Sequence, residues 1–194
     1  MTQFVETLIP GVILVEPPVR RDDRGFFLET YHESRYREGG IRENFVQDNH
    51  SSSVRNTLRG FHGQNPHPQG KLVRVIEGEI FDVTVDVRRG SPAYGKHFAT
   101  RLSADNFRQL YLPPGVLHGF LVTSDVAQFV YKCTDFFCPQ AGFSDAWDEQ
   151  DISSKWVHEA AILSAQDRPE QPHTGIAHRR IGSETWRWIS PRTR

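Results

Sequence analysis

The chain has 194 residues and a mass of 22.3 kDa, enough for one well-cored domain and short for two. Its 23 Lys+Arg against 24 Asp+Glu leave a formal net charge of -1, so no global field recruits nucleic acid or an anionic membrane surface, and an anionic ligand has to be held locally. Four of the cationic side chains are Lys and the rest are Arg, whose planar fork suits bidentate phosphate contacts.

In chain order, the apolar stretch 8–15 is broken by Pro10 and Gly11 and has no basic run before it. It reads as neither a signal peptide nor a membrane span, and a cytoplasmic protein is expected. Strands are expected at 12–16 and 26–31, then a short helix over 32–38 stopped by Gly39-Gly40. Further runs of β-branched and aromatic residues predict strands at 45–53, 57–62, 71–76, 79–88, 97–102, 107–112 and 126–134. The alternation is clearest in 79–88, where Phe81, Val83, Val85 and Val87 are expected to face a core and Asp82, Thr84, Asp86 and Arg88 to face away. Glu77-Gly78, between two of these strands, reads as a hairpin turn. Many short strands with Gly, Pro, Asn and Asp between them predict an all-β sandwich or barrel.

After Pro139 the alternation fades, and Ile152, Trp156 and Ala160 recur at helical spacing, which predicts a helix over 151–166. From Arg168 onward the chain is polar and Pro-containing apart from Trp186-Arg187-Trp188. The expected organisation is one domain over 1–167 and a C-terminal tail, 168–194, partly ordered by those two tryptophans. Cys133 and Cys138 are spaced C-x4-C, which suits neither a zinc knuckle nor a redox pair, so both are expected to be free thiols.

The chemistry concentrates in Arg59-Gly60-Phe61-His62-Gly63-Gln64, Lys71-Leu72-Val73-Arg74-Val75, Phe81-Asp82-Val83, Pro113 to Phe120 with His118 inside it, and Tyr131-Lys132-Cys133-Thr134. In this order, and from Asp23-Arg24-Gly25-Phe26-Phe27 to Leu163-Ser164, these motifs resemble the dTDP-4-dehydrorhamnose 3,5-epimerase (RmlC) family of deoxysugar biosynthesis. The resemblance implies a cupin-type jelly-roll β-sandwich with a few short peripheral helices. It also implies a nucleotide-linked 4-keto-6-deoxy sugar as substrate and no cofactor.

Such an epimerase removes a proton from a carbon beside a ketone and returns one to the opposite face, so it needs a base, an enolate stabiliser and an acid. Histidine titrates near neutrality, and His62 is the candidate base. The resemblance gives Asp167 as its carboxylate partner, Lys71 as the cation facing the developing oxyanion, and Tyr131 as the acid on the other face. It also implies that Gln47, Asn49, Arg59 and His118 touch the sugar nucleotide. Arg24 and Glu29 match positions that reach the nucleotide of a neighbouring subunit, which implies a homodimer with exchanged N-terminal strands.

Two expected side chains are replaced: Gly142 stands where the family carries Glu, and Gln166 where it carries Lys. Both bear on the substrate's surroundings. A 3-epimerase or a 3,4-ketoisomerase on a related nucleotide-linked 4-keto sugar is therefore an alternative. His62, His67 and His118 raise the further alternative of a metal-dependent cupin oxygenase. Gln64 falls two residues after His62, where a cupin metal motif has its second His, so no metal is expected. A noncatalytic sugar-nucleotide-binding sandwich would not require His62, Lys71 and Tyr131 together.

Overall fold

The computed structural model describes residues 1–144 and 161–164. Its first sheet has six strands in the order β1 (Gln3–Glu6), β2 (Ile13–Glu16), β10 (Gln109–Leu112), β7 (Lys71–Glu77), β12 (Val126–Cys133) and β5 (Gln47–Val54). The second runs β13 (Gly142–Ser144), β6 (Thr57–Gln64), β11 (Val116–Val122), β8 (Glu79–Asp86) and β9 (His97–Ser103), with β14 (Ile162–Leu163) parallel to β6. From β5 to β8 the chain changes sheet at every strand, and it does so again from β9 to β12. This is the jelly-roll sandwich expected from the sequence motifs. A separate two-stranded arm joins β3 (Arg20–Asp22) to β4 (Gly25–Phe27).

The crossings correct one expectation. Glu77 and Glu79 flank a corner, because β7 pairs with β10 and β12 while β8 pairs with β11 and β9. Gly78 turns that corner with φ +74, and a Cβ there would lie 2.0 Å from the Val126 carbonyl oxygen. Only glycine fits both the left-handed backbone and the contact.

The β8 alternation also needs correction. Ile80 packs inside the sandwich against Val73, Val75, Leu110, Phe120 and Phe129, whereas Val83 and Val85 join Leu58, Phe61, Leu117 and Leu121 in a cluster on the outer face of the second sheet. Phe143 and Leu163 pack against that outer cluster. Asp82, Thr84 and Asp86, expected to face away, are buried at 0% exposure. Both faces of β8 are covered, so polarity reports which face meets a functional interior and not which meets water.

Other differences have local causes. Pairing on the arm ends at Arg20 and Phe27, so the strand expected over 26–31 stops at Phe27 and both Phe26 and Phe27 remain exposed. Ile162 and Leu163 pair with Thr57 and Leu58 as a strand, in place of the C-terminal part of the helix expected over 151–166. The rest of that helix, apart from Ala161 and Ser164, lies outside the described residues, as does the tail with Trp186 and Trp188. Strands β1, β3, β11 and β13 were not anticipated. The expected helix is present as α1 (Glu33–Glu38), where the Gly39 N–H bonds to Arg35 O and Ile41 N–H to Tyr36 O. Tyr36 docks α1 on the outer face of the first sheet beside Ile13, Val15 and Tyr111.

Candidate active site

The site lies between the sheets and begins with a bulge. Across β6 and β11, His62 pairs with His118, but Arg59 pairs with Phe120: three steps on one strand match two on the other. The extra residue falls at Gly60-Phe61. Gly60 takes φ +129, and a Cβ on it would sit 2.3 Å from the Gly119 Cα. The offset sends Phe61 and Leu58 to the outer cluster while Arg59 and His62, three apart, both face inward, which a regular strand forbids. Arg59 donates from Nε to Ser53 Oγ at 3.0 Å on the opposite sheet.

On that opposite sheet, Gln47, Asn49, Ser51 and Ser53 share the inner face of β5, as the alternation over 45–53 predicts. The Gln47 amide donates to Asn49 Oδ1 at 3.0 Å. Tyr131 pairs with Asn49 on one side and Val73 on the other, and Cys133 pairs with Gln47 and Lys71. The Lys71 ammonium stands 6.0 Å from the Tyr131 ring centroid. Burial holds Lys71 below the usual lysine range, opposed by Cys133 and Asp82. Burial, aided by Cys133 and countered by Arg59, keeps the Tyr131 phenol above its ordinary value, so it carries a proton at neutrality.

From the second sheet, His118 Nδ1 lies 3.0 Å from Asp82 Oδ2, and Thr84 donates to Asp82 Oδ1 at 3.3 Å. Burial pulls His118 below the usual imidazole range; Asp82 opposes this, and Lys71 and His62 reinforce it. His62, His118, Lys71, Tyr131 and Arg59 thus converge on one cavity, as do Gln47 and Asn49. His67 stays at the mouth, with Nδ1 3.6 Å from Asp135, apart from the other two imidazoles.

Arg24 and Glu29 do not join this set. Arg24 is exposed in the turn of the arm and pairs with Asp22, and Glu29 pairs with Arg35 of α1. Asp167 and Gln166 lie outside the described residues. Gly142 pairs with Gln64, and among the described residues a Cβ on it would meet the Pro139 carbonyl oxygen at 3.5 Å, an ordinary van der Waals contact. Reading the sequence missed Asp82, Cys133 and Ser53 as wall groups. It also missed Gln64, which ties the mouth loops to each other by bonding His67 O, Phe136 O and the Cys138 N–H. The signal for Asp82 was available: the alternation of His118, Phe120 and Val122 marks β11 as a strand, and a strand there covers β8.

The dTDP-4-dehydrorhamnose 3,5-epimerase family matches residues 6–173. The chain belongs to this family. The family's enzymes are isomerases that epimerise nucleotide-linked sugars. The dTDP-4-dehydrorhamnose 3,5-epimerase of Pseudomonas aeruginosa is 49% identical over 162 residues, covering 82% of this chain and 90% of that protein. The enzyme of that name from Methanothermobacter thermautotrophicus is 46% identical over 173 residues, covering 88% and 94%. Among solved structures, RmlC from Legionella pneumophila in complex with dTDP-4-keto-L-rhamnose aligns with a TM-score of 0.82 at 43% identity, covering 86% of this chain and 90% of that one.

Proposed function

We propose that this protein is a 3,5-epimerase of dTDP-4-dehydro-6-deoxyglucose in dTDP-rhamnose and related deoxysugar biosynthesis, acting without a cofactor. The observation that carries this reading is that His62 and Tyr131 come from opposite sheets and face one cavity, with Lys71 beside Tyr131. A base and an acid on opposite walls are what inversion at a carbon requires.

His62, oriented by Asp167, takes the proton from C-3 or C-5. The C–H electron pair moves into the ring and the ketone becomes an enolate, whose oxygen is met by the Lys71 ammonium. At C-5 the protonated Tyr131 returns a proton from the other face, at C-3 a water does so, the enolate electrons form the new C–H bond, and solvent then reprotonates the phenolate and takes the proton from His62. Gln47, Asn49, Arg59 and His118 hold the sugar nucleotide. Arg24 and Glu29 act on the nucleotide of a second copy, in a homodimer with exchanged N-terminal strands. Phe26, which packs edge-on against Phe107 yet stays 56% exposed, and Phe27, 70% exposed, lie on the arm that carries Arg24 and support that exchange, because large exposed apolar side chains gain by docking. The reaction takes place in the cytoplasm, within one catalytic domain over 1–167, and residues 168–194 form its appended tail.

The test is NMR of dTDP-4-keto-6-deoxyglucose incubated with the protein in deuterated water. Deuterium at both C-3 and C-5 with inversion supports the reading. Deuterium at C-3 alone makes the protein a 3-epimerase, the alternative raised by Gly142 standing where the family carries Glu. Binding of the nucleotide sugar with no exchange at either carbon refutes an epimerase.

A further inference from the structure

Asp82 has no part in the steps above, yet it is buried at 0% exposure directly behind the groups that perform them. It sits on β8, two residues from Thr84, and both of its oxygens are engaged: Oδ1 by the Thr84 hydroxyl and Oδ2 by His118 Nδ1. A carboxylate oxygen can only accept, so the His118 hydrogen resides on Nδ1 and a neutral ring keeps Nε2 as an acceptor. His118 is fixed further by stacking on Phe129, with ring centroids 6.1 Å apart.

Asp82 also acts through space on Lys71, where its charge, like that of a Cys133 thiolate, opposes the effect of burial and favours the ammonium. Titratable groups act on the cavity from both sheets: Tyr131 and Cys133 from β12 of the first, and Asp82 from β8, His118 from β11 and His62 and Arg59 from β6 of the second. Burial pushes the Cys133 thiol up and outweighs the opposing pull of Lys71 and Asn49, so Cys133 is a thiol at neutrality. Cys133 therefore contributes no negative charge there, and the Tyr131 phenol contributes none. Among the described groups that act on Lys71, Asp82 is the carboxylate that offsets the cost of burying its ammonium.

We propose that Asp82 is the positioning residue of this site: one carboxylate sealed behind the cavity holds Lys71 as an ammonium and His118 as the neutral Nδ1–H tautomer. The proposal rests on the epimerase reading only in that the charge it maintains on Lys71 serves an enolate oxygen.

The variant that isolates the charge is Asp82→Asn, which keeps an acceptor for His118. Exchange at C-3 is the readout, because that centre does not draw on Tyr131. We expect kcat to fall on the order of 10- to 100-fold with KM changed by less than about threefold, as for loss of a group that acts through a catalytic one. The sign of the pH effect is fixed. Activity requires protonated Lys71 and is lost as pH rises through its pKa; removing a negative neighbour lowers that pKa further, so the alkaline limb moves down by about one pH unit. A uniform loss at every pH, with the limb unmoved and only thermal stability reduced, would overturn the proposal. Imidazole 15N NMR of the free wild-type protein tests it without any turnover. A protonated Nδ1 and bare Nε2 on His118 are expected, and the reverse tautomer sinks the idea even if the protein proves to be an epimerase. Conversely, absence of exchange in the wild type would fault the epimerase reading and leave the tautomer result standing.

Discussion

The two faces of the second sheet bury comparable lengths of the same strands and use them differently. On the outer face, Leu58, Phe61, Val83, Val85, Leu117 and Leu121 pack together through their apolar side chains. On the inner face, Asp82, Thr84, Asp86 and His118 are as deeply buried, and each is tied to a specific partner. Apolar burial stabilises without regard to direction, at about 25 cal/mol per Å² removed from water. Polar burial costs free energy unless every group is paired, and the pairing fixes orientation and charge. The outer face therefore supplies stability alone, whereas the inner face, which also carries core residues such as Ile80 and Phe120, supplies the chemistry as well.

Substitutions can separate the two. The largest effect is expected at the inner face: His62→Ala should lower proton exchange roughly 100- to 10,000-fold while the melting temperature changes little. A parallel loss of fold, seen by circular dichroism, would erase the distinction. Asp86→Asn should destabilise by about 3 kcal/mol or more, because Asp86 accepts from the Arg88 guanidinium and backbone N–H and from Ser91. Burial pushes the Asp86 pKa up, but those hydrogen bonds outweigh it and hold it below the usual carboxylate range. A depressed folded pKa contributes stability above the unfolded value and loses it as pH falls through the folded one. Urea unfolding at descending pH should therefore show an acid-side loss in the wild type that is smaller in the variant.

Leu121→Ala, on the outer face, should cost about 2–5 kcal/mol in the same assay and leave exchange per folded molecule within about twofold. A large catalytic defect there would mean that the outer face tunes the site. The smallest effect is expected for Asp48→Ala, which removes an exposed pair with Lys132. Its contribution should be below about 1 kcal/mol and should shrink further in salt.

The same contrast explains how much was legible in the sequence. That Gln47 and Asn49 share one face of β5, with Asp48 and His50 on the other, could be read from the period of two alone. The chemistry of His62, Lys71, Tyr131 and His118 was legible because those side chains lie in motifs that resemble one family. The facing of β8 was not, since a strand covered on both sides carries no water-facing signal, and the polar set that looked solvated is the inner one. The bulge at Gly60 was equally hidden, because register belongs to the pairing of β6 with β11 and not to either strand alone. Nor could a corner at Gly78 be told from a hairpin turn, since both need the same left-handed glycine.

The most direct test of the account compares Tyr131→Phe with His62→Ala, following C-3 and C-5 of dTDP-4-keto-6-deoxyglucose separately by NMR in deuterated water. With a base on one wall and an acid on the other, His62→Ala should abolish exchange at both carbons, whereas Tyr131→Phe should block inversion at C-5 and retain exchange at C-3. Equal loss at the two carbons in Tyr131→Phe, or persistent exchange in His62→Ala, would contradict the assignment of the two walls.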